Sequence, residues 1–150
     1  MLRGGFGCRI LVHDICPDND FYAAHQIEAV GLESLLRRSD VISLHVPLDA
    51  STRGMIDMTK LALLRPEAIL INTARGGLVD EQALKQALRD GRLAGAAFDV
   101  FDPEPPIDNE LVSLPNFLAT PHIGGSSEEA VLAMGRAAIE GLFVNAVPVR

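Results

Sequence analysis

Three polar residues, each placed after a short apolar run, could together do acid–base chemistry on an anionic substrate. Arg75 stands in Ile71-Asn72-Thr73-Ala74-Arg75-Gly76-Gly77-Leu78-Val79-Asp80-Glu81, where an apolar strand runs into a paired-glycine turn. Glycines there let the backbone come close to a ligand, and a planar guanidinium can donate two parallel hydrogen bonds to a carboxylate. Glu104 lies in Phe98-Asp99-Val100-Phe101-Asp102-Pro103-Glu104-Pro105-Pro106, and His122 in Thr120-Pro121-His122-Ile123-Gly124-Gly125. An arginine, a glutamate and a histidine so placed make an acid/base site for a carboxylate-bearing substrate. Neither an HExxH pattern nor a clustered Cys/His spacing points to a metal, and a GxSxG elbow is absent.

These residues need elements to hold them. Apolar runs at 8–13, 41–45, 68–72, 94–98 and 117–119 alternate with helical segments, which reads as an α/β fold with a parallel sheet. Leu32, Leu35 and Leu36 fall on one face of a helix over 32–38, and a second helix near 58–64 should stop before Pro66. The best-defined helix runs from Asp80 to Asp90: Asp80 can cap it, Ala83, Leu84, Ala87 and Leu88 form its stripe, and Gly91 stops it. A last helix begins at Ser126, where Glu129 completes a capping box, and continues to about Phe143. Its apolar positions Val131, Leu132, Met134, Ala138 and Leu142 are broad enough to need a partner surface. The proline-rich stretch 102–106 should be a stiff loop.

The chain has 150 residues, 48% of them apolar, enough for one domain with a real core. A formal charge of −7 opposes the basic stripe of a nucleic-acid binder, so DNA and RNA are not expected as direct ligands. No apolar run approaches the roughly 18–20 residues of a membrane span, and the first residues hold no signal-peptide block, so a membrane partner is not expected and the cytoplasm is the expected compartment. Cys8 and Cys16 form neither a CxxC pair nor a disulfide framework.

Taken together, the segments 71–81, 98–106 and 120–127 resemble the second half of a D-isomer-specific 2-hydroxyacid dehydrogenase, the group that includes phosphoglycerate, glycerate and hydroxypyruvate or glyoxylate enzymes. The resemblance runs from about Phe6 to Pro148. It implies a Rossmann-like parallel sheet flanked by helices, lacking the first strand and the glycine-rich phosphate loop. Gly5-Phe6-Gly7-Cys8-Arg9-Ile10 is no substitute, because Ile10 replaces the third glycine and the segment precedes a strand instead of following one. In the family a short glycine-containing turn of this kind ends the first helix and leads into the second strand. The implied organisation is a partial NAD-binding domain over residues 1–123, with residues 124–150 forming a helix that returns towards a missing substrate domain. The chain thus reads as a fragment of a longer enzyme.

The same resemblance assigns roles. Arg75 would hold the substrate carboxylate and polarise the carbonyl or hydroxyl oxygen. His122 would be the general acid/base, oriented by Glu104. NAD is the implied cofactor: Asp14, following a strand, would take the adenosine ribose hydroxyls and repel a 2′-phosphate. His45 and Pro47 would line the adenine side, Thr73 and Ala74 would contact the cofactor, and Asp99 would bind the nicotinamide carboxamide. Gly124 and Gly125 would admit the ring beside His122. The implied reaction is hydride transfer between nicotinamide and the CH–OH carbon of a small 2-hydroxy or 2-keto acid. A homodimer is expected for the complete enzyme. Two other readings stand beside it: an NAD(H)-sensing module resembling the C-terminal-binding corepressors, which share the fold, and an inactive remnant.

Overall fold

The computed structural model describes residues 2–107 and 109–145, and it divides into two compact units, Met1–Ala119 and Thr120–Arg150. In the first unit the elements run α1 (Leu2–Phe6), β1 (Leu11–Val12), α2 (Asn19–Ala24), β2 (Glu28–Ala29), α3 (Leu32–Arg38), β3 (Val41–Leu44), α4 (Met58–Leu61), β4 (Ile69–Asn72), α5 (Glu81–Arg89), β5 (Gly95–Phe98), α6 (Asn109–Val112) and β6 (Phe117–Ala119). The second unit holds α7 (Glu128–Asn145).

Every described strand pair is parallel, as the α/β alternation requires. The strands nevertheless form two sheets: β3-β4-β5-β6, and a separate pair β1-β2. The apolar run 8–13 supplies only two strand residues, Leu11 and Val12, opposite the exposed Glu28 and Ala29. In a doubly wound sheet the first strand lies between the second and the fourth. No described strand joins β1 to β3, so the sheet remains in two blocks.

The four-stranded sheet carries the core. Inward positions of its strands, Ile42, Leu44, Leu70, Ala96 and Phe98, are buried together with Leu36 of α3 and the α5 stripe Ala83, Leu84, Ala87 and Leu88. That stripe is the one its spacing predicts, and the helix ends are also as expected. Asp80 Oδ1 accepts from the Gln82 and Ala83 amides at 3.0 Å each, and Gly91 follows the last turn at φ +65°. Asp80→Ala should therefore leave two first-turn amides without their acceptor and cost about 1 kcal/mol, a fall in thermal midpoint of about 2–4 °C by calorimetry. An unchanged midpoint would show that the cap is replaced by water at no cost.

Two helices differ from their sequence-based bounds. The second ends at Leu61 and reaches Leu64 only through turns, because Leu63 and Leu64 bond back three residues, to Lys60 and Leu61, in tight 3₁₀ fashion before Pro66. In α7 the hydroxyl that caps the first turn belongs to Ser127, not Ser126: Ala130 N donates to Ser127 Oγ at 3.2 Å. The Glu129 carboxyl is held below its ordinary range by its own amide and then by the Ser127 hydroxyl. The apolar positions expected on this helix, Val131, Leu132, Met134 and Leu142, are exposed. No helix among the described residues is long and apolar enough to cross a membrane.

Candidate active site at the carboxyl edge of the sheet

Parallel register places one residue after another on a single edge. Leu44 pairs with Asn72 and Asn72 with Phe98, so His45, Thr73 and Asp99 leave β3, β4 and β5 at the same level. Helices return the chain to the opposite edge each time. In open α/β sheets, ligands bind outside these carboxyl ends.

The turn carrying Arg75 is built on a residue that its type alone did not single out. Asn72, the last residue of β4, is 1% exposed and spends its side chain on the turn. Its Nδ2 donates to the Arg75 carbonyl at 2.9 Å, its Oδ1 accepts from the Ala74 amide at 3.1 Å, and its own carbonyl accepts from the Asp99 amide at 2.9 Å. A buried amide so fully bonded is costly to replace, because each partner would lose its bond out of reach of water. The signal in the sequence was a polar residue ending an apolar run, Ile69-Leu70-Ile71-Asn72. Ala74 packs against the core, Thr73 is exposed, and the exposed Arg75 guanidinium folds back so that Nη1 donates to the Ala74 carbonyl at 2.6 Å.

Beyond Arg75 the backbone passes close beneath the loop after β5. A Cβ on Gly76 would lie 1.9 Å from the Phe101 carbonyl oxygen, so only glycine fits there. Phe101 is buried and forms a tilted cluster with Phe98 and Phe117, centroids 5.4–6.3 Å apart. These rings anchor the proline-rich loop at its start, from which Asp102 and Glu104 emerge exposed. Glu104 Oε1 accepts from the Phe101 amide at 2.9 Å, which curls the carboxylate back over its own loop. The structure thus brings Arg75, Asp99 and Glu104 onto neighbouring segments of one unit.

The remaining residues follow β3 on this edge, follow β1 of the separate pair, or lie in the other unit. Ser43 Oγ and His45 Nε2 are 2.8 Å apart at the end of β3, and the Pro47 carbonyl accepts from the Thr52 hydroxyl at 2.7 Å. The Asp49 carboxyl organises this loop and is held below the usual carboxylate range, first by the Ser51 hydroxyl and then by the Ser51 amide. Asp14, two residues past β1, accepts from the Cys16 amide at 2.8 Å in a local turn. His122, Gly124 and Gly125 belong to the second unit. There His122 is exposed and takes φ +52°, a left-handed backbone uncommon for a residue with a side chain. Gly5 and Gly7 close the C-terminal end of α1, where helix carbonyls face outward, and so offer no amide cradle to a phosphate. Among the described residues no group of three His, Cys, Asp or Glu converges as a metal site.

The sequence and the fold have counterparts among known proteins. Residues 1–124 match the model of the D-isomer specific 2-hydroxyacid dehydrogenase NAD binding domain. The chain belongs to that family. Glycerate dehydrogenase of Methylorubrum extorquens is 47% identical over 128 residues, covering 83% of this chain and 38% of the relative. Among solved structures, the holo form of Rhodotorula graminis D-mandelate dehydrogenase superposes with a TM-score of 0.86 at 34% identity, covering 93% of this chain and 41% of that one. The NAD-complexed D-isomer specific 2-hydroxyacid dehydrogenase of Lactobacillus delbrueckii ssp. bulgaricus gives 0.83 at 29%, covering 98% and 49%. The chain therefore spans less than half the length of these relatives.

Proposed function

We propose that this chain is the NAD-binding portion of an oxidoreductase that interconverts a small D-2-hydroxy acid and its 2-keto acid. The supporting observation is the carboxyl edge, where a buried asparagine holds an arginine-bearing turn level with a strand-end aspartate. The residues fit two parts of NAD. Asp14 would accept from the ribose hydroxyls, and Asp99 would bind the carboxamide beside the reacting ring. NAD, when bound, supplies the hydride acceptor or donor.

The chain's own residues would do the rest. Arg75, whose guanidinium rests on the Ala74 carbonyl, would exchange that single bond for a bidentate grip on the substrate carboxylate and draw charge from the substrate oxygen. His122 would take the hydroxyl proton in oxidation and return it in reduction. Glu104, as its partner, would favour the protonated imidazole that a keto acid needs. His45, Pro47, Thr73 and Ala74 would line the cofactor, and Gly124 and Gly125 would leave room for its ring. Residues 1–123 would form the cofactor domain, and residues 124–150 the return to a substrate domain. The family's named substrates differ, glycerate in one relative and mandelate in another, so the acid's identity would rest on residues outside this edge.

A fluorescence titration of the 150-residue chain with NADH tests the cofactor reading. Saturable binding that weakens at least about tenfold in Asp14→Ala is the expected result, the change corresponding to loss of a charge-assisted pair of hydrogen bonds. Equal affinity for NADH and NADPH in the parent chain would overturn the role of Asp14.

A further inference from the structure

A contact that none of the roles above employs crosses the Gly76–Gly77 turn. Arg53 Nη1 donates to Asp102 Oδ2 at 2.8 Å, joining the segment after β3 to the loop after β5. The pair lies directly on Gly77, where a Cβ would come within 2.9 Å of Asp102 Oδ2 and 3.0 Å of Arg53 Nη1. Alongside it, the Gly54 amide donates to the Gly77 carbonyl at 2.8 Å and the Ile56 amide to the Leu78 carbonyl at 3.1 Å, so 54–56 runs as a short parallel rail beside 77–79. On the other flank the Asp102 amide donates to Glu81 Oε1 at 3.3 Å, and the Phe101 amide to Glu104 as described. Three segments distant in sequence therefore meet over one glycine.

Both side chains of the pair are about half exposed, at 61% and 48%. An ion pair so open to water contributes little to global stability. Its consequence is local. Arg53 stands on a loop already fixed by Asp49, whose Oδ1 accepts from Ser51 and Thr52, and whose carbonyl accepts from the Arg53 amide at 3.0 Å. Asp102 stands next to the buried Phe101 and two residues before Glu104. Two anchored supports thus meet above a turn that a glycine at φ +78° would otherwise leave free to open.

We propose that Arg53 and Asp102 are positioning residues whose ion pair clasps the Gly76–Gly77 turn and holds the segment bearing Arg75 in register with the loop bearing Glu104. The functional meaning rests on the roles given above to Arg75 and Glu104, but the clasp itself can be tested without cofactor or turnover. Amide hydrogen exchange on the full chain reads it directly. In Arg53→Gln and in Asp102→Asn, the Gly54, Phe101 and Asp102 amides should exchange up to about fivefold faster, while those of Leu70 and Ala96 in the sheet stay unchanged. The double variant should match each single one, because the two residues act as one contact. Raising the salt to 1 M, where the screening length falls to about 3 Å, should accelerate the same amides in the parent chain and not in the variants. Arg53→Lys, which keeps the charge, should lie close to the parent. Acceleration that extends equally to Leu70 and Ala96, additive single effects, or no change at the three loop amides would each overturn the clasp. None of these outcomes depends on NADH binding, so failure of the cofactor reading and failure of the clasp are separately visible.

Discussion

In an enzyme carrying this domain, His122→Gln should lower kcat by about 10²–10⁴-fold while leaving NADH affinity within about twofold. An imidazole can take up and release a proton near neutral pH, whereas a carboxamide can only bond the substrate oxygen without moving a proton. The loss should appear in both directions, since the group that removes the hydroxyl proton in oxidation returns it in reduction. His122 also takes a backbone conformation that costs free energy for a residue with a Cβ, and such outliers cluster where function requires them. Because glutamine tolerates φ +52° poorly, His122→Asn is the companion variant: asparagine enters the left-handed region readily and equally lacks a transferable proton. Steady-state kinetics with a panel of 2-keto acids, alongside a separate NADH titration, measures both quantities. Turnover retained in the asparagine variant would remove His122 from the chemistry.

What could be read from the sequence, and what could not, follows the range of the interactions involved. The strands of the main sheet were legible because each is a short, mainly apolar run followed at once by a polar residue, and their ends marked the level of His45, Thr73 and Asp99 once parallel pairing was assumed. Helix α5 was legible because cap, stripe and stop are all local. By contrast α2 buries none of its six residues, so it has no apolar stripe to betray it, only Asp18 accepting from the Phe21 amide at 2.9 Å. Strand β2 is two exposed residues with no alternation to read.

The site divides in the same way. Through residue type, Arg75 and its glycines mark a turn where the backbone and a guanidinium could meet an anion. The reason the turn holds its shape lies in Asn72, whose side-chain bonds reach only two or three residues but depend on its burial. The Arg53–Asp102 pair bridges 49 positions, and nothing in either local sequence announces it. Residue type reports the chemistry a position can do; tertiary contact decides which positions are held still enough to do it.

The turn beneath Arg75 should also be the most substitution-sensitive part of the first unit, and Gly76→Ala should be worse than Gly77→Ala despite a gentler backbone. Gly77 adopts φ +78°, so alanine there is strained, yet the atoms its Cβ would meet are the ends of two exposed side chains that can swing away. Gly76 has no such φ, but its Cβ would lie 1.9 Å from the Phe101 carbonyl oxygen and 2.1 Å from the carbonyl carbon. These are backbone atoms, held by the packing of the Phe101 ring between Phe98 and Phe117. Relief would require the loop that carries Asp102 and Glu104 to retreat by more than 1 Å, pulling a buried ring with it, and interiors are too densely packed to yield so far. A cost of about 3 kcal/mol or more follows, a fall in thermal midpoint of about 6–12 °C, against about 1–2 kcal/mol for Gly77→Ala. Calorimetry of the two single variants gives the order. If Gly77→Ala proves the more damaging, the left-handed backbone and not the close approach of the two loops is what the paired glycines serve, and the contact between the Arg75 turn and the Glu104 loop is looser than the distances at Gly76 imply.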